Sequence, residues 1–274
     1  MKPLVAKLTA NLWITTVWLA CSFAVVPDSL LGQSEQLQDK FENSIKSIET
    51  ARREPDPMQR ERVLRDAIRD VQRLVEQHPN HDLANAAQLQ LGNANVELAR
   101  EHVKRANLTE STDVKKDSRF KARILLSDAM RSFEVVEKEI RAELERIDSV
   151  DLADRMTLNK LRGDYLRAKL LIAASTEELA EAHDPSEEKR DQLLAAAAGQ
   201  YNVLYKSYRT RLAGLYARLY EGRCLQKRQE FDKALAIYDE LLDQPAGIAA
   251  IDTLRKKASD LAASCRQERD STKD

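Results

Sequence analysis

Apolar residues recur along this chain at spacings of three and four, the period of a helix face. Read that way, nine segments are predicted helical: 35–53, 57–78, 82–106, 117–147, 151–183, 186–207, 210–228, 230–243 and 247–268. Prolines at 55, 79, 185 and 245 fall between them, Pro57 opens the second, and none lies between 80 and 184. The breaks carry helix-boundary chemistry. Asp184-Pro185-Ser186-Glu187 supplies a cap and a proline at a first helical position, and Pro79-Asn80-His81-Asp82 is a turn ending in a cap. Asn107–Asp117 has no apolar period and is predicted to be a loop.

Two stripes are unusually regular. Leu126, Ala129, Phe133, Val136, Ile140, Leu144 and Ile147 form one. Leu158, Leu161, Tyr165, Ala168, Ile172, Ser175, Leu179 and Ala182 form the other. Both follow the a/d seam of a coiled coil. The short Asp148–Asp151 connection makes them antiparallel neighbours, each helix about 45 Å long for ~30 residues.

A third pattern repeats across the chain. An alanine is followed by a large residue at +4 and an apolar one at +7 in Ala67/Val71/Leu74, Ala129/Phe133/Val136, Ala197/Tyr201/Leu204 and Ala234/Tyr238/Leu241. Glycines in the preceding helices, Gly92 and Gly222, cost about 1 kcal/mol each against alanine unless close helix approach offsets it. Leu215–Pro245, with Gly222, Ala234 and Tyr238 in sequence, resembles the tetratricopeptide repeat. Ala67, Val71, Leu74 and Pro79 match the second half of another repeat. The alanines are 62, 68 and 37 residues apart, against about 34 in a regular array, so the middle hairpins are lengthened. The expected fold is all-α: an α-solenoid of stacked antiparallel hairpins spanning 35–268, with an elongated coiled-coil-like hairpin at its centre and a polar tail at 269–274.

The resemblance also implies a partner-binding groove lined by the first helix of each pair. In the last repeat that places Tyr216, Leu219, Arg223, Gln226 and Lys227 on the groove. In the Gly92 repeat it places Leu89, Asn93, Val96 and Glu97 there. A solvated charged face, or core packing for the tyrosines, is the alternative reading of the same residues.

Composition narrows the rest. Lys and Arg number 44 against 45 Asp and Glu, a net charge of −1, which argues against a nucleic-acid partner. Lys2 and Lys7 precede an apolar run, Leu12–Val26, which ends at Pro27-Asp28. This is the layout of a signal peptide over 1–34, with Gly32 and Ser34 at the exit. An exported, periplasmic or envelope protein follows. An uncleaved anchor over residues 8–26 and lipidation at Cys21 are the alternatives. Among catalytic patterns, neither a phosphate-binding glycine loop, nor H-E-x-x-H, nor G-x-S-x-G, nor C-x-x-C occurs. His78 and His81 read as a helix end and a turn rather than as metal ligands, and His102 and His183 as surface residues. Cys224 and Cys265 read as small buried side chains as readily as a disulfide. The expectation is therefore a non-catalytic scaffold, without cofactor or metal, that binds a protein or peptide. An oligomerising coiled-coil spacer, anchored through its N-terminal segment, is the alternative.

Overall fold

The computed structural model describes residues 28–147 and 155–272, with side chains from Glu35 and, after the break, from Thr157. Nine α-helices and no strand occur among them. They are α1 (Asp28–Arg52), α2 (Pro57–Gln77), α3 (Ala84–Leu108), α4 (Thr112–Ile147) and α5 (Arg155–Glu181), followed by α6 (Glu188–Tyr208), α7 (Leu212–Lys227), α8 (Phe231–Leu242) and α9 (Ala249–Ser271). The chain divides into two units, Met1–Leu37 and Gln38–Asp274, and the packing described below belongs to the second. Residues 1–27, which hold Cys21, the alternative 8–26 anchor and all but the last seven residues of the expected 1–34 signal segment, lie outside the described residues, as does the 148–154 connection.

Local chemistry sets the helix ends. Asp56 accepts the Gln59 N–H at 2.8 Å, and Pro57 opens α2. The α7–α8 turn needs a left-handed residue, and Gln229 takes it at φ 62°. Its N–H reaches the Gln226 carbonyl, and the Glu230 N–H reaches that of Leu225, the double closure of a Schellman motif. The expected 107–117 loop is a correction. Only 109–111 lie outside helices, and α4 begins at Thr112. Ser111 starts that helix by offering its carbonyl to the Lys115 N–H at 2.9 Å. A helix end that projects into water needs no apolar period, so the pattern could not show it.

From α2 to α9 each helix packs on the next, and α3 also touches α5, α5 touches α7, and α7 touches α9. The repeated alanine pattern forms the core of this packing. All twelve of its residues are buried, with Val71, Phe133, Tyr201 and Tyr238 fully enclosed. The two glycines are notches for the rings. A Cβ at Gly92 would overlap the Phe133 ring, and one at Gly222 would stand 2.7 Å from Tyr238 Cε1. Close approach is thus what repays the cost of glycine inside a helix.

The long central helices pack on each other through part of their stripes. Val136 and Ile140 of α4 share a buried cluster with Ala168 of α5, flanked by Leu144, Leu161 and Tyr165. α5 has a second buried side that the heptad pattern does not mark. Leu166 and Ala173 pack with Ala197, Ala198 and Tyr201 of α6 and with Ala217 and Cys224 of α7. α5 is therefore enclosed on two faces, between α4 and the α6–α7 pair.

Candidate functional site

The α3–α5 contact leaves a cleft of about 300 Å³. Asn93, Val96, Glu97 and Arg100 line it from α3, and Leu171, Ala174, Ser175 and Glu178 from α5. Arg52 of α1 closes one side. Helical spacing explains the sets: 93, 96, 97 and 100 share one face of α3, and 171, 174, 175 and 178 share one face of α5. The walls carry both signs of charge. Arg52 donates to Glu97 at 2.9 Å and to Gln90 at 3.1 Å, and Arg100 donates twice to Glu178, at 2.7 and 3.0 Å. Ser175 is 1% exposed, and its Oγ has no hydrogen-bond partner. A buried hydroxyl without a partner is uncommon in a folded chain.

A second polar cluster sits where α5 meets α7. Glu177, 1% exposed, accepts two hydrogen bonds of 2.7 Å from Arg223, and Lys227 lies 3.0 Å away. The Tyr201 hydroxyl donates to it at 3.3 Å. Burial pushes the Glu177 carboxyl up, but the Arg223 hydrogen bond and the Lys227 and Arg223 charges outweigh burial and hold it below its ordinary value. Lys227 also pairs with Glu181 at 2.8 Å, and Arg223 lies over the Tyr220 ring at 4.6 Å. Beyond it, Arg218 joins Glu221 and Glu240 at 2.9 and 2.6 Å.

The residues expected on the groove do not share one surface. Asn93, Val96 and Glu97 line the α3–α5 cleft together. Leu89 packs on the α4–α5 cluster instead. None of the five α7 residues lines that cleft. Tyr216 is half-buried, its ring tilted against that of Tyr220 with centroids 6.1 Å apart and Lys257 5.1 Å from its ring centroid. Leu219 is 1% exposed, inside the core with Tyr238 and Leu254. Gln226 is buried, accepting from the Tyr238 hydroxyl at 2.9 Å and donating to Glu268 at 2.8 Å. Arg223 and Lys227 are committed to Glu177. Arg100, Ser175 and Glu178, absent from the sequence-based set, complete the cleft. In the sequence Ser175 is visible only as a seam position of α5.

The histidines and cysteines are also placed. His81 stacks on Phe41 at 4.4 Å, and its Nδ1 accepts the Leu83 N–H. His102, read as a surface residue, is a correction: it is 1% exposed, wedged between α3 and Glu61 and Arg65 of α2. Both described cysteines are free and buried. Burial, and then the Glu177 charge, push the Cys224 thiol well up. Among the described residues no cluster of three or more His, Cys, Asp or Glu is arranged for a metal ion, and no helix is long and apolar enough to cross a membrane. No protein-family model matches the chain, and no curated protein or solved structure shows significant similarity to it.

Proposed function

We propose that the protein is a non-catalytic binding scaffold, a tetratricopeptide-like solenoid exported to the cell envelope, that holds an extended segment of a partner protein in the α3–α5 cleft. The observation that carries this reading is the cleft itself: buried Ser175 Oγ lacks a partner at a surface walled by Asn93 and by charges of both signs. An extended peptide brings backbone N–H and C=O groups at regular intervals, the kind of group that Ser175 and Asn93 can bond. The contacts of α3, α5, α7 and α9 along one side of the packing support the solenoid reading. The Gly92–Phe133 and Gly222–Tyr238 notches support the repeat reading. The α4–α5 seam is buried within one chain, which leaves the cleft rather than the seam for a partner.

A displayed peptide library selected on the protein tests this. Selected peptides should shift the amide resonances of Asn93, Val96 and Ser175, and Asn93→Trp, which fills the cleft, should abolish binding without lowering the melting temperature. Peptides that bind Asn93→Trp as tightly as wild type would refute the assignment.

A further inference from the structure

The chain is close to neutral overall, but one hollow is not. It lies where the first turns of α4 meet the α5–α6 connection, with a volume of about 250 Å³. Lys115, Lys116, Arg119 and Arg123 line it from α4, facing Asp184 and Glu187. Four cations against two carboxylates leave an excess of two positive charges.

Both carboxylates are already engaged. Asp184 accepts from Arg119 and from the Ser186 N–H and Oγ, and these hydrogen bonds hold its carboxyl down to about 2. Glu187 pairs with His183 at 2.7 Å and accepts the Asp184 N–H at 2.9 Å. Neither Lys115 nor Lys116 reaches a carboxylate among the described residues. Arg123 gives one N–H to the Ala182 carbonyl at 3.1 Å. The Arg119 side chain is 11% exposed, and its Nε is buried with no acceptor. An unused buried donor beside two unpaired ammonium groups calls for an acceptor from outside the chain.

We propose that this hollow binds a phosphate group. A phosphate monoester carries about −1.5 to −2 at neutral pH, which balances the excess, where a carboxylate covers half of it. Lysines serve phosphate as point charges, and the Arg119 and Arg123 guanidinium groups add N–H donors at the same wall. The phosphate belongs either to a soluble compound or to a lipid headgroup. Phe120 and Ile124, exposed on the same helix, give the second source a physical basis.

The test uses the full chain. Inorganic phosphate is titrated by calorimetry in chloride buffer, and vesicles of phosphatidylcholine with and without phosphatidic acid are tested by flotation. Saturable phosphate binding, weakened about tenfold or more in Lys115→Gln/Lys116→Gln and unchanged in Lys46→Gln/Lys138→Gln, is expected. Binding should weaken as salt rises. Binding confined to phosphatidic-acid vesicles, with the same dependence on Lys115 and Lys116, identifies the headgroup as the source. Circular dichroism melting checks that the variants fold, and Lys116→Gln alone repeats the comparison with a single exposed change. The proposal is overturned if neither probe binds, if the Lys115/Lys116 variant binds as well as wild type, or if acetate binds as tightly as phosphate.

Discussion

Replacing Glu177 by Gln isolates the charge cluster that joins α5 to α7. The substitution keeps the volume but removes the charge, and it turns one amide N–H₂ toward donors on Arg223 and Tyr201. Breaking a fully buried ion pair by removing one partner costs about 3–5 kcal/mol. Here the cations are less enclosed, with Arg223 35% and Lys227 29% exposed, and Lys227 keeps Glu181 at 2.8 Å. Water and Glu181 offset part of the loss, so about 2–3 kcal/mol is expected. For a chain of this size that lowers the melting temperature by about 5–10 °C. Circular dichroism melting at neutral pH measures it, with Arg223→Gln and the double variant closing a cycle whose coupling should be about 1 kcal/mol or more. The pH dependence gives a second reading. The Glu177 carboxyl is held below its ordinary value of 4.5, so its contribution is complete above that pH and is lost as pH falls through the folded-state value. Glu177→Gln should flatten that acid limb. A variant that melts within about 1 °C of wild type, or a cycle without coupling, would refute the argument.

Four further outcomes follow from the geometry. Gly92→Ala should destabilise by about 1–3 kcal/mol because its methyl meets the enclosed Phe133 ring, whereas Gly163→Ala, with nothing within 4 Å, should stabilise α5 by about 1 kcal/mol; chemical denaturation separates the two. Gln229→Gly should raise stability by about 0.5–1 kcal/mol by relieving the left-handed backbone at φ 62°, measured the same way. Burial first, with Arg105 and Arg65 nearby, holds the His102 pKa below its ordinary 6.5 despite Glu61. The unfolded chain therefore takes up that proton first as pH falls below 6.5, and stability should decline there in wild type but less in His102→Gln. Cys224 and Cys265 should resist a thiol reagent in the folded protein and react on denaturation, since both are buried.

Most of the helix frame is legible in the amino-acid sequence, because apolar spacing and the rare prolines mark the same boundaries. α2, α4, α6 and α8 carry the alanine pattern, and every residue of it is buried. The second buried side of α5 escapes that pattern because Glu177 sits in the middle of it, and a carboxylate in an apolar row reads as surface. Its partners, Arg223 and Lys227, stand 46 and 50 residues further on, and periodicity within one helix says nothing about pairing at that range. The same gap explains the groove. Asn93, Val96 and Glu97 can be picked out because one helix face suffices to select them. Arg100 lies on that same face one turn further along, whereas Ser175 and Glu178 join them only across the α3–α5 contact, which no single helix encodes.

The Glu177 cluster also limits how this chain could be cut. Its acid stands on α5 and both of its bases on α7, with the whole of α6 threaded between. A fragment ending after Tyr208 would strand a buried anion beside Tyr201 with its counter-ions gone. The C-terminal helices are thus no detachable appendix, and hairpins of this protein cannot be shuffled or duplicated like interchangeable bricks without re-addressing each charge to its proper mate.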